Sequence, residues 1–352
     1  MATSVLGVAS VVLALLAAPI AAAAQSRLQD FELRSSRFEG NRIGVSPVRK
    51  VTAYLPDGYD GSARRYPVIY YLSNLFETNR SLFDANGGRT VLDAAIKAGT
   101  IPPVIVVSAD FSTPLGTSFY ANSPVTGNWS DFLAEDLPTA VDGRFRTLPT
   151  SASRGLLGDR MGGYGAIRTA MLKPGVFGSV FALHPIGTGV GIQTMHSRPN
   201  LEKMAAAKAL SDLDGDGFSQ IFTAMYQAFL PNPANGPLFV DMPARRENGQ
   251  LIVDSALTAK LQNAFLLDRL LPAHADNLKA LRGLQLEWGR FDGTTDHVVS
   301  NRAFSHLLEE YGIANEAEEY RGWWGETHWT QNGRVATRAL PFFARTLAFE
   351  KP

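Results

Sequence analysis

Residues 155–171 read GLLGDRMGGYGAIRTAM. A short apolar run ends at Gly158, and a stretch with helical spacing begins at Met161. Between them stand Asp159 and Arg160, with Gly158 and Gly162 placed symmetrically about Arg160. Two glycines in that relation let a strand and a helix meet backbone to backbone across a tight turn, because neither carries a Cβ. The spacing therefore predicts strand, turn and helix, with Arg160 exposed at the apex.

Outward from this junction, strand-like and helix-like segments alternate. The segments VRKVTAYLP (48–56), YPVIYYLS (66–73), PPVIVVSAD (102–110), SRGLLGD (153–159), GSVFALHP (178–185) and LQLEWGRFD (284–292) read as strands. Several are continuous β-branched and aromatic runs, as expected of strands buried on both faces. The segments 90–99, 128–145, 161–175, 301–312 and 335–349 carry helical spacing, with Ser130 or Asp131 near the cap of the second. This alternation predicts an α/β fold, a mainly parallel sheet with helices on both faces. One domain is expected over 25–352, with an insertion at about 186–275 that fits the alternation poorly and caps or lines the site.

Lys plus Arg and Asp plus Glu both number 33, so the formal charge is zero. No basic excess marks a nucleic-acid or anionic-membrane partner. Residues 1–24 are apolar and rich in small residues, and an Ala-x-Ala pattern precedes Gln25. That pattern predicts a cleaved signal peptide, a secreted or periplasmic location, and no transmembrane segment after cleavage. There is no cysteine, which excludes disulfides and thiolate metal sites.

The strand, turn and helix at 155–171 match the nucleophile elbow of α/β-hydrolases. GDRMGGYGA resembles the signature G-x-S-M-G-G-Y-G-A of the secreted putative-esterase family. That family includes esterase D (S-formylglutathione hydrolase), feruloyl and acetyl xylan esterases, enterochelin esterases and mycolyltransferases. VTAYLPDGYD, YPVIYYL, SFYANSPVTGNWSDFLAEDLP, FDGTTDHVVSNRAFSHLLEEYGI and EYRGWWGETHWTQN carry the likeness along about residues 45–347, with 186–275 covered poorly. The resemblance implies an α/β-hydrolase fold and carboxylic-ester chemistry without a catalytic cofactor. It also implies His328 as general base and Asp296 as the acid that orients it, with Asp292 as runner-up. Where the family has the serine nucleophile, this chain has Arg160. A guanidinium stays protonated and offers no lone pair, so it cannot attack a carbonyl. Where the family often has His-Gly at the oxyanion side, this chain has Ser73 and Asn74; Met161, just after the apex, completes that side.

Two functional readings follow. In the first, the chain has lost serine-hydrolase activity and keeps a cleft for a small-molecule ester, carboxylate or saccharide. In the second, it is an active hydrolase or acyltransferase with a site rearranged around His328 and Asp296. Arg160 stands where a helix N-terminus disfavours cations, so a carboxylate partner is expected, Asp296 or Asp292 within the chain or a ligand's. Asp159, one residue before the apex, is expected to point away from it. Separately, Asp212, Asp214 and Asp216 in DLDGDGFSQIFT alternate and precede Gly217, as in the first half of a calcium loop, although position twelve is Thr223 where a Glu is expected. A structural calcium and a solvated turn capping the next helix both fit. The remaining histidines, His184 among them, are expected to be structural or surface residues.

Overall fold

A computed structural model describes residues 25–189, 199–323 and 328–350. The expected signal peptide and His196 lie outside these residues. Among them, eight strands form one sheet: β1 (Arg27–Arg34), β2 (Val48–Leu55), β3 (Val68–Leu72), β4 (Ile105–Ala109), β5 (Arg154–Asp159), β6 (Ser179–Leu183), β7 (Gly283–Gly289) and β8 (Glu316–Tyr320). Their order is β1-β2-β4-β3-β5-β6-β7-β8. The first three neighbours pair antiparallel, and every later pair is parallel.

The period of two explains why the middle strands are apolar throughout. Val68, Tyr70 and Leu72 of β3 face one core, and Ile69 and Tyr71 face the other. Val180 and Ala182 of β6 are likewise separated from Phe181 and Leu183. A strand with a helix layer on each side has no wet face, so alternation of apolar and polar residues disappears. Helices α1 (Gly88–Lys97) and α8 (335–346) cover the second face. Helices α2 (129–144), α3 (Met161–Leu172) and α7 (Thr295–Glu310) cover the first.

Local details depart from the sequence expectations in three places. Neither Ser130 nor Asp131 caps α2. Asn122 does so from a distance, its Oδ1 accepting from the amides of Ser130 at 2.9 Å and Asp131 at 3.2 Å. Helix α7 begins at Thr295, not near Asn301, which carries Asp296 out of the loop and into a first helical turn. Within 186–275 the chain forms a short helix (Leu201–Ala206), a helix at Gly217–Phe229, a hairpin at 244–253 and a helix at Ser255–Phe265. The last helix of the region, Leu267–Lys279, packs against α3 and belongs to the sheet's covering layer. It buries Leu267, Leu271, Ala275 and Leu278, a helical period that Pro272 obscures in the sequence. Among the described residues no helix is long and apolar enough to cross a membrane.

The junction of β5 and α3 is the tightest point of the fold. A Cβ on Gly158 would lie 2.0 Å from the carbonyl oxygen of Gly162. A Cβ on Gly162 would lie 1.8 Å from the carbonyl oxygen of Leu72, at the end of the neighbouring β3. Both obstacles are backbone, so they cannot swing aside as a side chain would. Gly162→Ala is expected to destabilise the protein by about 3 kcal/mol or more, seen as a fall in the midpoint of urea unfolding. Gly143→Ala, on the exposed side of α2 with nothing within 4 Å of the new methyl, serves as the neutral control.

Candidate functional site

Arg160 stands at the apex with φ 50° and ψ −101°, a backbone conformation that non-glycine residues rarely adopt. Such a conformation costs on the order of 1–3 kcal/mol and persists only where the surroundings enforce it. Two hydrogen bonds do so. The Arg160 amide donates to the Leu183 carbonyl at 2.8 Å, and the Tyr164 amide donates to the Arg160 carbonyl at 2.9 Å.

The guanidinium lies beside the preceding residue. Arg160 Nη1 donates to Asp159 Oδ2 at 2.9 Å, and both side chains are mostly shielded from solvent. This is the internal ion pair expected for a cation at a helix N-terminus, but the carboxylate is Asp159 in place of Asp296 or Asp292. Asp159 does not point away from the site. Its other oxygen, Oδ1, is 3.9 Å from Nε2 of His328, which is itself buried. Asp292 is engaged elsewhere, with Oδ2 3.1 Å from Nδ1 of His297 and Oδ1 accepting from the Thr294 amide at 2.8 Å. Asp296 is buried in the first turn of α7. The structure thus brings Asp159, Arg160 and His328 together at the elbow.

Ser73 and Asn74 follow the end of β3. The Ser73 carbonyl accepts from the Tyr120 hydroxyl at 2.6 Å. The Asn74 amide donates to Glu77 Oε2 at 3.0 Å. Met161 is buried at the start of α3. Three exposed aromatic residues stand on the loops that leave the carboxyl ends of the sheet: Phe76 after β3, Phe291 after β7 and Trp323 after β8.

His184 was not singled out by the sequence, yet its ring lies 5.5 Å from that of His328. It follows β6, the strand beside the elbow strand, and the carboxyl end of a parallel strand is where site residues collect. Its Nε2 is 2.5 Å from the Tyr320 hydroxyl oxygen, and the Gly289 amide donates to the same nitrogen at 3.1 Å. Burial first, and then the neighbouring His328 and Arg160, push its pKa down to about 2. His184 is therefore a neutral hydrogen-bonding group at neutral pH.

Behind it the fully buried Glu287 accepts from Arg334 Nε at 2.9 Å. Arg334 also pairs with Glu318 at 2.9 Å, and its guanidinium lies 4.4 Å from the centre of the Tyr320 ring. The next amide, that of Val335, donates to the His328 carbonyl at 3.2 Å. Together these contacts tie the segment carrying His328 to the edge of the sheet.

The aspartates at 212–216 accept hydrogen bonds from the chain around them. Asp212 Oδ2 accepts from the amides of Lys208 and Ala209 at 2.7 and 3.1 Å. Asp216 caps the helix Gly217–Phe229 through the Ser219 amide at 3.1 Å, and that amide holds its carboxyl below the usual carboxylate range. Asp214 Oδ1 accepts from Gln220 Nε2 at 3.3 Å. The three carboxylates do not converge, and among the described residues no group of three or more acidic, histidine or cysteine side chains is placed to hold a metal.

The chain is similar to known proteins in sequence and in fold. Residues 46–227 match the family model described as "Putative esterase". The esterase Rv1288 of Mycobacterium tuberculosis is 32% identical over 149 residues, 41% of this chain and 30% of that protein. The S-formylglutathione hydrolase of Mus musculus is 28% identical over 163 residues, 42% of this chain and 56% of that enzyme. The match thus covers less than two thirds of either relative. A ferulic acid esterase structure superposes with a TM-score of 0.62 at 16% identity, covering 92% of this chain and 99% of its own.

Two measurements follow. An unfolded histidine titrates near 6.5. Because folded His184 resists protonation down to about 2, the unfolded chain binds the extra proton as pH falls below about 6.5. Its contribution is therefore lost on acidification, at up to about 1.4 kcal/mol per pH unit. Urea unfolding between pH 4.5 and 7 is expected to show a shallower pH slope, by close to one proton, in His184→Gln. Asp216→Ala should cost about 1 kcal/mol as a lost helix cap, equally with calcium or with a chelator. A loss seen only in calcium would mark a metal site instead.

Proposed function

The chain belongs to the "Putative esterase" family, and on that premise we propose that it is a member in which Arg160 has replaced the serine nucleophile and ordinary carboxylic-ester hydrolysis has been lost. The observation that carries this reading is the apex itself. The strained backbone that presents a nucleophile is intact, with φ 50° and ψ −101°, but it presents a guanidinium held by Asp159 at 2.9 Å. A permanently protonated group cannot form an acyl-enzyme.

What survives supports a binding role. His328 lies at the elbow beside Asp159, and neutral His184 stands next to it. The exposed Phe76, Phe291 and Trp323 surround the carboxyl edge of the sheet. Polar groups at the end of a sheet whose loops carry exposed aromatic side chains suit a small-molecule ester, carboxylate or saccharide held without being cleaved. The Asp159–Arg160 pair keeps the wall near neutrality, so a ligand is retained by hydrogen bonds and stacking more than by net charge.

A fluorophosphonate probe tests the central claim. The parent protein is expected to remain unlabelled, to show no burst with p-nitrophenyl acetate, and to turn that ester over no faster than His328→Ala. Stoichiometric labelling with a burst would overturn the reading in favour of a rearranged, active hydrolase.

A further inference from the structure

We propose that the hairpin at 244–253 is a docking edge for a second copy of this chain, which pairs with it strand to strand about a two-fold axis. The strands Ala244–Glu247 and Gln250–Val253 form a sheet of two, joined by Asn248 and Gly249 at φ 49° and 76°. Positive φ at both residues gives the turn that fits the twist of a hairpin. A ribbon of two strands is marginal in water unless something covers it. Here the cover is sparse. Leu251 and Val253 are 53% and 54% exposed, and the helix that follows, Ser255–Phe265, has no fully buried residue.

The two edges of the ribbon are unlike. Ala244–Glu247 carries Arg245, Arg246 and Glu247 and lies against the helix Leu201–Ala206, with Arg246 Nε 3.8 Å from Glu202 Oε1. Charges on an edge strand discourage pairing. Gln250–Val253 carries no charge. The Asp254 amide donates inward, to the Pro243 carbonyl at 2.8 Å. Inward and outward groups alternate along an antiparallel strand, so the amides and carbonyls of Leu251 and Val253 face outward. Among the described residues no other segment pairs with that edge.

The edge is its own complement. Antiparallel pairing centred on Ile252 sets Leu251 opposite the partner's Val253, and Val253 opposite the partner's Leu251. These are the outward-facing residues, so each pair exchanges two backbone hydrogen bonds. Leu251 and Val253 of both copies then form one apolar row, and Ile252 meets the partner's Ile252 on the other face. Gln250 meets the partner's Asp254, so no like charges oppose. The Asp254 carboxylate is already engaged as a cap, Oδ1 accepting from the Leu257 amide at 2.9 Å. Another protein would have to supply an uncharged apolar strand in this register, whereas a second copy supplies it by symmetry. The contact is small beside the roughly 1,200 Å² of a stable interface, so the dimer is weak and reversible.

Sedimentation at about 10⁻⁶ to 10⁻³ M should show a concentration-dependent monomer–dimer equilibrium. Leu251→Lys, at an exposed position, should leave the melting temperature unchanged and weaken the dimer by about tenfold or more. Mixing it with Val253→Glu should restore the dimer, because position 251 of one copy faces position 253 of the other. The chain has no cysteine, so single thiols report the register. Under mild oxidation Ile252→Cys should link into dimers, since it faces itself at a Cα spacing of about 4.5 Å. Leu251→Cys lies on a diagonal, about 7–8 Å from its copy, and should link far less. A monomer throughout the range, equal linking of the two thiols, or a dimer that Leu251→Lys leaves unchanged would overturn the proposal. None of these readouts involves Arg160 or ester turnover, so this proposal and the reading of the elbow fail separately.

Discussion

Three backbones meet too closely to admit a side chain where β3 ends, β5 ends and α3 begins, and this contact sets the arrangement of everything around it. The Leu72 carbonyl stands where a side chain on Gly162 would have to be, and the Gly162 carbonyl stands where one on Gly158 would have to be. Only a chain without Cβ atoms at those positions can bring the helix so close to two parallel strands. The closeness orients the first turn of α3 toward the carboxyl edge of the sheet, and the loops after β3, β6, β7 and β8 then converge on it. The apex strain at Arg160 follows from the same geometry. It is imposed by hydrogen bonds to Leu183 and Tyr164, neither of which involves the side chain.

Electrostatics then decides what the apex can carry. The exposed amides at a helix N-terminus repel a cation, and Arg160 is tolerated because Asp159 neutralises it at 2.9 Å. The cost falls on the neighbouring groups. Asp159 divides its two oxygens between Arg160 and the side of His328, and His184 is held neutral by burial and by the positive groups near it. Deeper in the sheet, Glu287 is buried with Arg334 as its counter-ion. Removing one partner of such a pair leaves a buried charge uncompensated. The wall therefore carries two ion pairs, each joining a partly shielded arginine to a buried carboxylate.

Much of this was legible in the residues. Gly158 and Gly162 announce the elbow because no other residue type satisfies the close approach, and the doubly buried strands announce the parallel sheet because they lack a polar face. Other parts were not legible, each for a physical reason. Strand β1 alternates only weakly, since it is a sheet edge with little to bury. The helix Leu267–Lys279 hides behind Pro272, which sits on its exposed side. The partner of Arg160 was sought among distant acids, although the residue next to it in the chain was better placed. His184 was invisible as a site residue because it stands in no recognisable spacing. It acquires its place from strand order, which sets the end of β6 beside β5.

The separation of backbone from side chain at position 160 has a wider consequence. Since the glycines and two main-chain hydrogen bonds hold the apex in its unusual conformation, the scaffold does not depend on what that residue carries. The turn behaves as a socket: a rigid pedestal, aimed at one spot, whose fitting can be exchanged. Serine makes it a chemical tool, and arginine makes it a charged finger with a reach of several bonds. A lineage that loses the reaction therefore need not lose the pedestal, and selection can try new fittings on it one substitution at a time.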